Sequence, residues 1–132
     1  MEKVTREIAE REINEWLAYK KINDAKKEAY KEHIETLIGA VMDGSIVVNE
    51  EKSFLHELKF ALEGEIPVAK LEYKPRVKIS TIHRNLQGVK SDDVDGRICG
   101  YIAALSSRPR KVIEALDTED YSISKAVAIF FL

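Results

Sequence analysis

The sequence holds one cysteine, Cys99, three prolines, and no glycine before Gly39. A single thiol excludes an intramolecular disulfide and a thiolate metal cluster, and it suits a reducing cytoplasm. Long apolar runs are also missing. Nowhere do about 18 apolar residues follow one another, so no membrane span is expected. The opening "MEKVTREIAEREINEW" alternates charges where a signal peptide needs an apolar run, so export is not expected either. Charge of one sign is lacking too: 21 Lys and Arg stand against 23 Asp and Glu, a net charge of -2. That balance offers no general field for nucleic acid or an anionic membrane, and the expected partners include neither. At 132 residues the chain suits one compact domain that buries about 65–70% of its extended surface.

What is present divides into a helical segment, 1–43, and an α+β core, 44–132. Between Val4 and Met42 the chain is rich in Glu, Lys, Ala and Leu, with Ile34, Leu37, Ile38, Val41 and Met42 at helical spacing. An N-terminal helix, or a helix pair broken at Asn23-Asp24 with one of these as cap, fits the pattern. After Asp43-Gly44 the texture changes. β-Branched Ile46–Val48, the alternating 53–62 stretch and Val68–Tyr73 predict a small antiparallel sheet. Residues 53–62 also fit a helical face. Residues 76–88 fit a brief strand or a short helix.

A cluster of three short helices is expected to follow. The first is capped by Ser91 or Asp92 and buries Val94, Ile98, Tyr101, Ile102 and Leu105; the second is led by Pro109. The third is capped by Asp117 or Thr118, with Glu119 and Asp120 in its first turn and Ile123, Val127, Phe130 and Phe131 on one side. The fold class is therefore α+β.

No catalytic arrangement emerges, and no enzyme or cofactor is expected. "DDVDG" (92–96) suggests the middle of a calcium loop, but in that register position twelve is Ile102 where a bidentate Glu is required. Helix capping accounts for those acids better. His33, His56 and His83 lie too far apart for a helical ligand pair, and no serine sits in a nucleophile elbow. Arg108, Arg110 and Lys111 form a basic patch at a helix start, where cations oppose the dipole; solvated surface is the plainer account. The closing "YSISKAVAIFFL" leaves Phe130, Phe131 and Leu132 needing cover, since each buried side chain of this kind contributes about 1.5–3 kcal/mol. Together with Trp16 and Tyr19 they are the expected partner-binding or self-association residues.

The order of features from Leu71 onward resembles the tail assembly chaperone family of Mu-like phages and prophages. The likeness rests on a strand ending Tyr73-Lys74-Pro75-Arg76, a helix ending "YIAALS", and a Pro-led helix ending "IEALD". It closes with Leu116-Asp117-Thr118-Glu119-Asp120-Tyr121 before an apolar tail. Two features depart from the family: Pro75 precedes Arg76 rather than following it, and the first helical segment is long. The resemblance implies a non-enzymatic protein of the bacterial host cytoplasm that keeps the long helical tape measure protein soluble during tail morphogenesis. It further implies self-association into a homo-oligomer and a longer, frameshifted form for which "AIFFL" is the junction. The alternative from another class is a small helix-turn-helix DNA-binding regulator with Arg108, Arg110 and Lys111 on the phosphates.

Overall fold

The computed structural model describes residues 4–132; Met1–Lys3 of the helical stretch lie outside the described residues. The N-terminal segment forms three helices, α1 (Arg6–Tyr19), α2 (Asp24–Ala29) and α3 (Lys31–Met42), rather than one or two. Asn23 is the cap between the first two, as its short polar side chain suggests: its Oδ1 accepts from the Lys26 N–H at 2.8 Å. The second break, at Tyr30, has no capping residue. Tyr30 instead turns its ring edge to Phe130, with centroids 5.7 Å apart, so a tertiary contact sets this break. Arg6 binds α1 to α3 by donating to both carboxylate oxygens of Glu35 at 2.8 Å.

The sheet is an antiparallel meander of β1 (Ile46–Val48), β2 (Phe54–Leu62) and β3 (Val68–Tyr73), in the order β1-β2-β3. Residues 53–62 are thus strand rather than helix. Their alternation carries Phe54, His56 and Leu58 inward and Leu55, Glu57 and Lys59 outward. The β1–β2 turn is built by Asn49, whose Oδ1 accepts from the N–H groups of Glu51 and Ser53, both at 3.0 Å. The β2–β3 ladder loses its register between Glu57 and Leu62, and β1 pairs only with 54–56. The far half of the β2–β3 hairpin therefore extends past β1.

Four helices and a final turn complete the fold: α4 (Ile79–Asn85), α5 (Val94–Ser106), α6 (Arg110–Glu114), α7 (Thr118–Ala128) and a 3-10 turn, Ile129–Phe131. The stretch after β3 is helix, and α4 adds a fourth member to the expected three. The α5 cap is Asp93, not Ser91 or Asp92; its Oδ1 accepts from Gly96 N–H at 2.9 Å. Val94 consequently begins the helix and stays exposed, while Ile98, Ile102 and Leu105 are buried. Close packing of α4 on α5 depends on Gly100, where an added Cβ would sit 2.6 Å from Leu86 Cδ2 and 2.9 Å from the Asn85 carbonyl oxygen. Asp117 caps α7 by accepting from Glu119 N–H at 2.9 Å.

A single apolar core joins the two sequence segments. Ile13, Trp16, Leu17 and Leu37 from the first helices meet Phe54, Leu71, Ile102, Val127 and Phe130 from the remainder. Trp16 is the hub: it stacks on Phe54 at 4.5 Å and takes the edge of Phe130 at 5.9 Å. Of the apolar end of the sequence, Phe130 thus finds its cover within the chain, Phe131 is half-buried and Leu132 stays exposed.

Candidate functional site: a buried polar cluster, two clefts and an exposed hairpin

Trp16 and Phe130 were expected on a partner surface, and the structure corrects both. Trp16 is 1% exposed and Phe130 2% exposed, each covered by the other and by Phe54 or Tyr30. The helical spacing of the last residues signals an apolar face, and that face packs inward: α7 lies on α3 and α5, and Phe130 enters between Trp16 and Tyr30. Phe131 is half-buried, with the Lys20 ammonium 3.4 Å from its ring centroid. Lys20 also donates to the Pro75 carbonyl at 3.0 Å. Burial, then the neighbouring charges of Arg76 and Lys26, pull its ammonium down to about 8. Lys26 donates to the carbonyl oxygens of Phe130 and Leu132 at 3.3 and 3.1 Å. Of the five residues, Tyr19 and Leu132 remain exposed, Tyr19 with Arg76 5.3 Å from its ring centroid.

The expected basic patch is divided. Arg110 donates through Nη2 to the Gln87 carbonyl at 2.9 Å, Lys111 is exposed, and Arg108 faces a cleft shared with Arg84. Helix α6 has five residues, under two turns, too short to lie along a DNA major groove as a recognition helix. Of the acids of 92–96, Asp93 caps α5 and Asp95 lies in its first turn, and among the described residues no group of three or more His, Cys, Asp or Glu is arranged to hold a metal.

Sequence reasoning missed a buried polar cluster that joins β2, β3 and α7. Asp120 is fully buried, and its two carboxylate oxygens accept from the backbone N–H groups of Lys59 at 2.8 Å and Phe60 at 3.0 Å. These amides lie where the β2–β3 register fails, so a side chain from α7 takes the place of missing ladder partners. Beside it, His56 Nδ1 is 2.6 Å from the Tyr73 hydroxyl, which also bonds the Ser124 hydroxyl; His56 Nε2 lies 3.5 Å from Asp120 Oδ1. Burial drives His56 down to about 4 against the opposing pull of the Asp120 carboxylate, and burial raises the Tyr73 phenol. Both are neutral near pH 7. With His56, Asp120 and Ser124 all fully buried, the cluster braces the fold and is closed to substrate. The period-2 alternation of β2 already places His56 on the inner face; nothing local marks Asp120 as its neighbour.

His56 gives the fold a defined pH dependence. The unfolded chain protonates His56 near 6.5 and the folded chain only near 4, so between these values the unfolded state binds more protons and stability rises with pH. This contribution is fully present above the unfolded value and lost as pH falls to the folded one, on the order of 3 kcal/mol in all. Urea titrations at pH 7 and pH 4.5 are expected to show that loss in the parent chain and much less of it in His56→Gln. An equal loss in both would place the acid sensitivity elsewhere.

Two larger clefts and an apolar surface bear further on function. Between α5, α6 and α7 an open cleft of about 450 Å³ is lined by Asp93, Asp95, Glu114, Cys99 and Tyr121. Burial, and then Glu114, hold the Cys99 thiol above its ordinary range, so it stays protonated and weakly nucleophilic. The second cleft, about 370 Å³, lies between α4 and the α5–α6 turn and presents Arg84 and Arg108. On the sheet, Val47 and Leu55 are cross-strand partners that face outward. On the projecting hairpin, Phe60 is 55% exposed and Ile66 78%. No described helix is long and apolar enough to cross a membrane. No protein-family model, curated protein or solved structure matches this chain.

Proposed function

We propose that the chain is a non-enzymatic binding protein, a tail assembly chaperone of a Mu-like phage or prophage that holds its tape measure protein soluble in the bacterial host cytoplasm. The observation that carries this reading is the apolar surface left on the outer sheet face and hairpin by Val47, Leu55, Phe60 and Ile66. Large apolar side chains on a carrier with a closed core suit the capture of an amphipathic helical client. Acids and lysines, Glu57, Lys59, Glu63 and Glu65, flank these positions in sequence and keep the carrier soluble between captures.

The motif order that resembles the family also has a physical account in this fold. The strand ending at Tyr73 is β3, "YIAALS" ends in α5, and the Pro-led helix is α6. In the Leu116–Tyr121 motif, Asp117 caps α7, Asp120 holds the β2 amides, and Tyr121 lines a cleft with Cys99. The same reading retains self-association and a longer frameshifted form. Its client surface is now Phe60, Ile66, Val47 and Leu55, with exposed Tyr19 and Leu132 as outlying contacts.

Co-expression tests it. A tape measure fragment that precipitates alone is expected to stay soluble and co-purify with this chain. Phe60→Ser with Ile66→Ser is expected to lose at least about 2 kcal/mol of binding, the scale of an apolar hot spot, with helicity by far-UV circular dichroism unchanged. A fragment that is neither bound nor kept soluble by the parent chain would remove the proposal. Salt-sensitive binding to duplex DNA would return the regulator reading.

A further inference from the structure

The charges of this chain are unevenly placed. Residues 73–91 carry Lys74, Arg76, Lys78, Arg84 and Lys90, and residues 96–113 carry Arg97, Arg108, Arg110 and Lys111; all 23 Asp and Glu lie outside these two stretches. The fold brings the stretches together, because α4 packs on α5 and α5 on α6. Where they meet is the second cleft, with Arg84 and Arg108 on its walls, Thr81, Asn85 and Ser107 beside them, and no carboxylate in its lining. Lys74 reaches the rim, its Nζ 3.4 Å from Ser107 Oγ.

Among the described residues, neither Arg84 nor Arg108 makes an ion pair or a side-chain hydrogen bond, whereas Arg6 engages Glu10 and Glu35. Like charges gathered without a partner repel one another until an anion arrives. The frame around them is braced in advance. Ser107 adopts the left-handed conformation with φ 57°, and the N–H groups of Ser107 and Arg108 both point to the Ala103 carbonyl. Arg110 ties the start of α6 to the loop after α4 through the Gln87 carbonyl. The small side chains of Ala103 and Ala104 leave room for a group to enter.

We propose that this cleft is an oxyanion site that takes the carboxylates of an acidic protein segment. Two guanidinium forks match planar carboxylates in bidentate fashion, and the hydroxyls and amide beside them supply further donors. Nucleic acid fits less well. No aromatic residue lines the cleft for base stacking. The inference is independent of the chaperone reading and needs only a partner rich in Asp or Glu.

The test uses the full chain and a fluorescein-labelled glutamate–alanine repeat peptide, read by anisotropy at low salt, with the glutamine–alanine twin as control. The glutamate peptide is expected to bind, and the twin not. Arg84→Gln with Arg108→Gln should weaken binding by about tenfold or more, the loss of one or two charge-assisted pairs, while unfolding midpoints stay within the error of the parent. Lys31→Gln with Lys70→Gln, the same change in net charge away from the cleft, should leave affinity unchanged. Equal binding of the twin, or equal loss in the lysine pair, would overturn the site. Displacement by inorganic phosphate at matched concentration would make it a free-anion site, and tighter binding of a duplex oligonucleotide would make it a nucleic-acid site; either result ends the carboxylate proposal.

Discussion

Phe130→Ala is expected to destabilise the chain by about 3–5 kcal/mol, the range for removing a buried aromatic ring. The ring lies in a pocket between Trp16 and Tyr30, at 5.9 and 5.7 Å between centroids and nearly perpendicular to both. Its loss leaves a void that faces α1, α2 and α7 together. Because a domain of this kind is stable by only about 5–15 kcal/mol, the urea midpoint should fall by a large fraction and helicity should decline at modest temperature. Phe60→Ser on the projecting hairpin is the contrasting case: its ring is 55% exposed, and stability should hardly move. Preserved stability in Phe130→Ala would mean that the ring does not occupy this pocket in solution.

The second large effect is expected at Asp120→Ala. Both backbone amides of Lys59 and Phe60 lose their acceptor, at about 1–3 kcal/mol for each buried donor left unsatisfied. Part of that cost is offset because a buried carboxylate no longer has to be desolvated, so a net loss of about 2–4 kcal/mol is expected. Hydrogen exchange gives the specific signature: the Lys59 and Phe60 amides should exchange much faster in the variant, ahead of the β1–β2 ladder. Asp120→Asn keeps one acceptor and should fall between. If those two amides exchange as in the parent, the α7 carboxylate does not hold β2.

Local chemistry was legible in the sequence at two of the helix starts and along one strand, while the α5 cap is Asp93 where Ser91 or Asp92 was expected. Asn23 and Asp117, each one of two expected caps, cap the helices they precede, and the alternation of β2 assigns His56 to the inner face. What the sequence left unread are interactions whose partner is remote. Tyr30 breaks two helices because a ring a hundred residues away waits for it. Asp120 looks like an ordinary first-turn acid of α7, a role Glu119 does fill, until the irregular stretch of β2 is laid beside it. Val94 misled in the other direction: it keeps helical phase with Ile98 and Ile102, yet it begins α5 at Asp93 and projects into water.

The candidate sites divide in the same way. Arg108 was visible as a cation at a helix start, but Arg84, its counterpart across the cleft, is an isolated Arg in the sequence and gains meaning only when α4 lies on α5. Apolar residues near the end of the chain look like a surface when only their own helix is considered. The cover of Phe130 comes from Trp16 and Tyr30, and no periodicity within α7 can report that.

The Trp16 pocket also imposes an order of events during synthesis. α1 and α2 leave the ribosome early, whereas Lys26 must wait for the Phe130 carbonyl, 104 residues later in the chain. Until α7 is made, Trp16 lacks its edge-on ring and the β2 amides lack Asp120. Such long-range closure slows folding and lengthens the exposure of apolar surface. Arg6 and Glu35 can join α1 to α3 early, but the Trp16 pocket closes only when α7 arrives, and a nascent chain halted before α7 would present Trp16 and Phe54 to its surroundings.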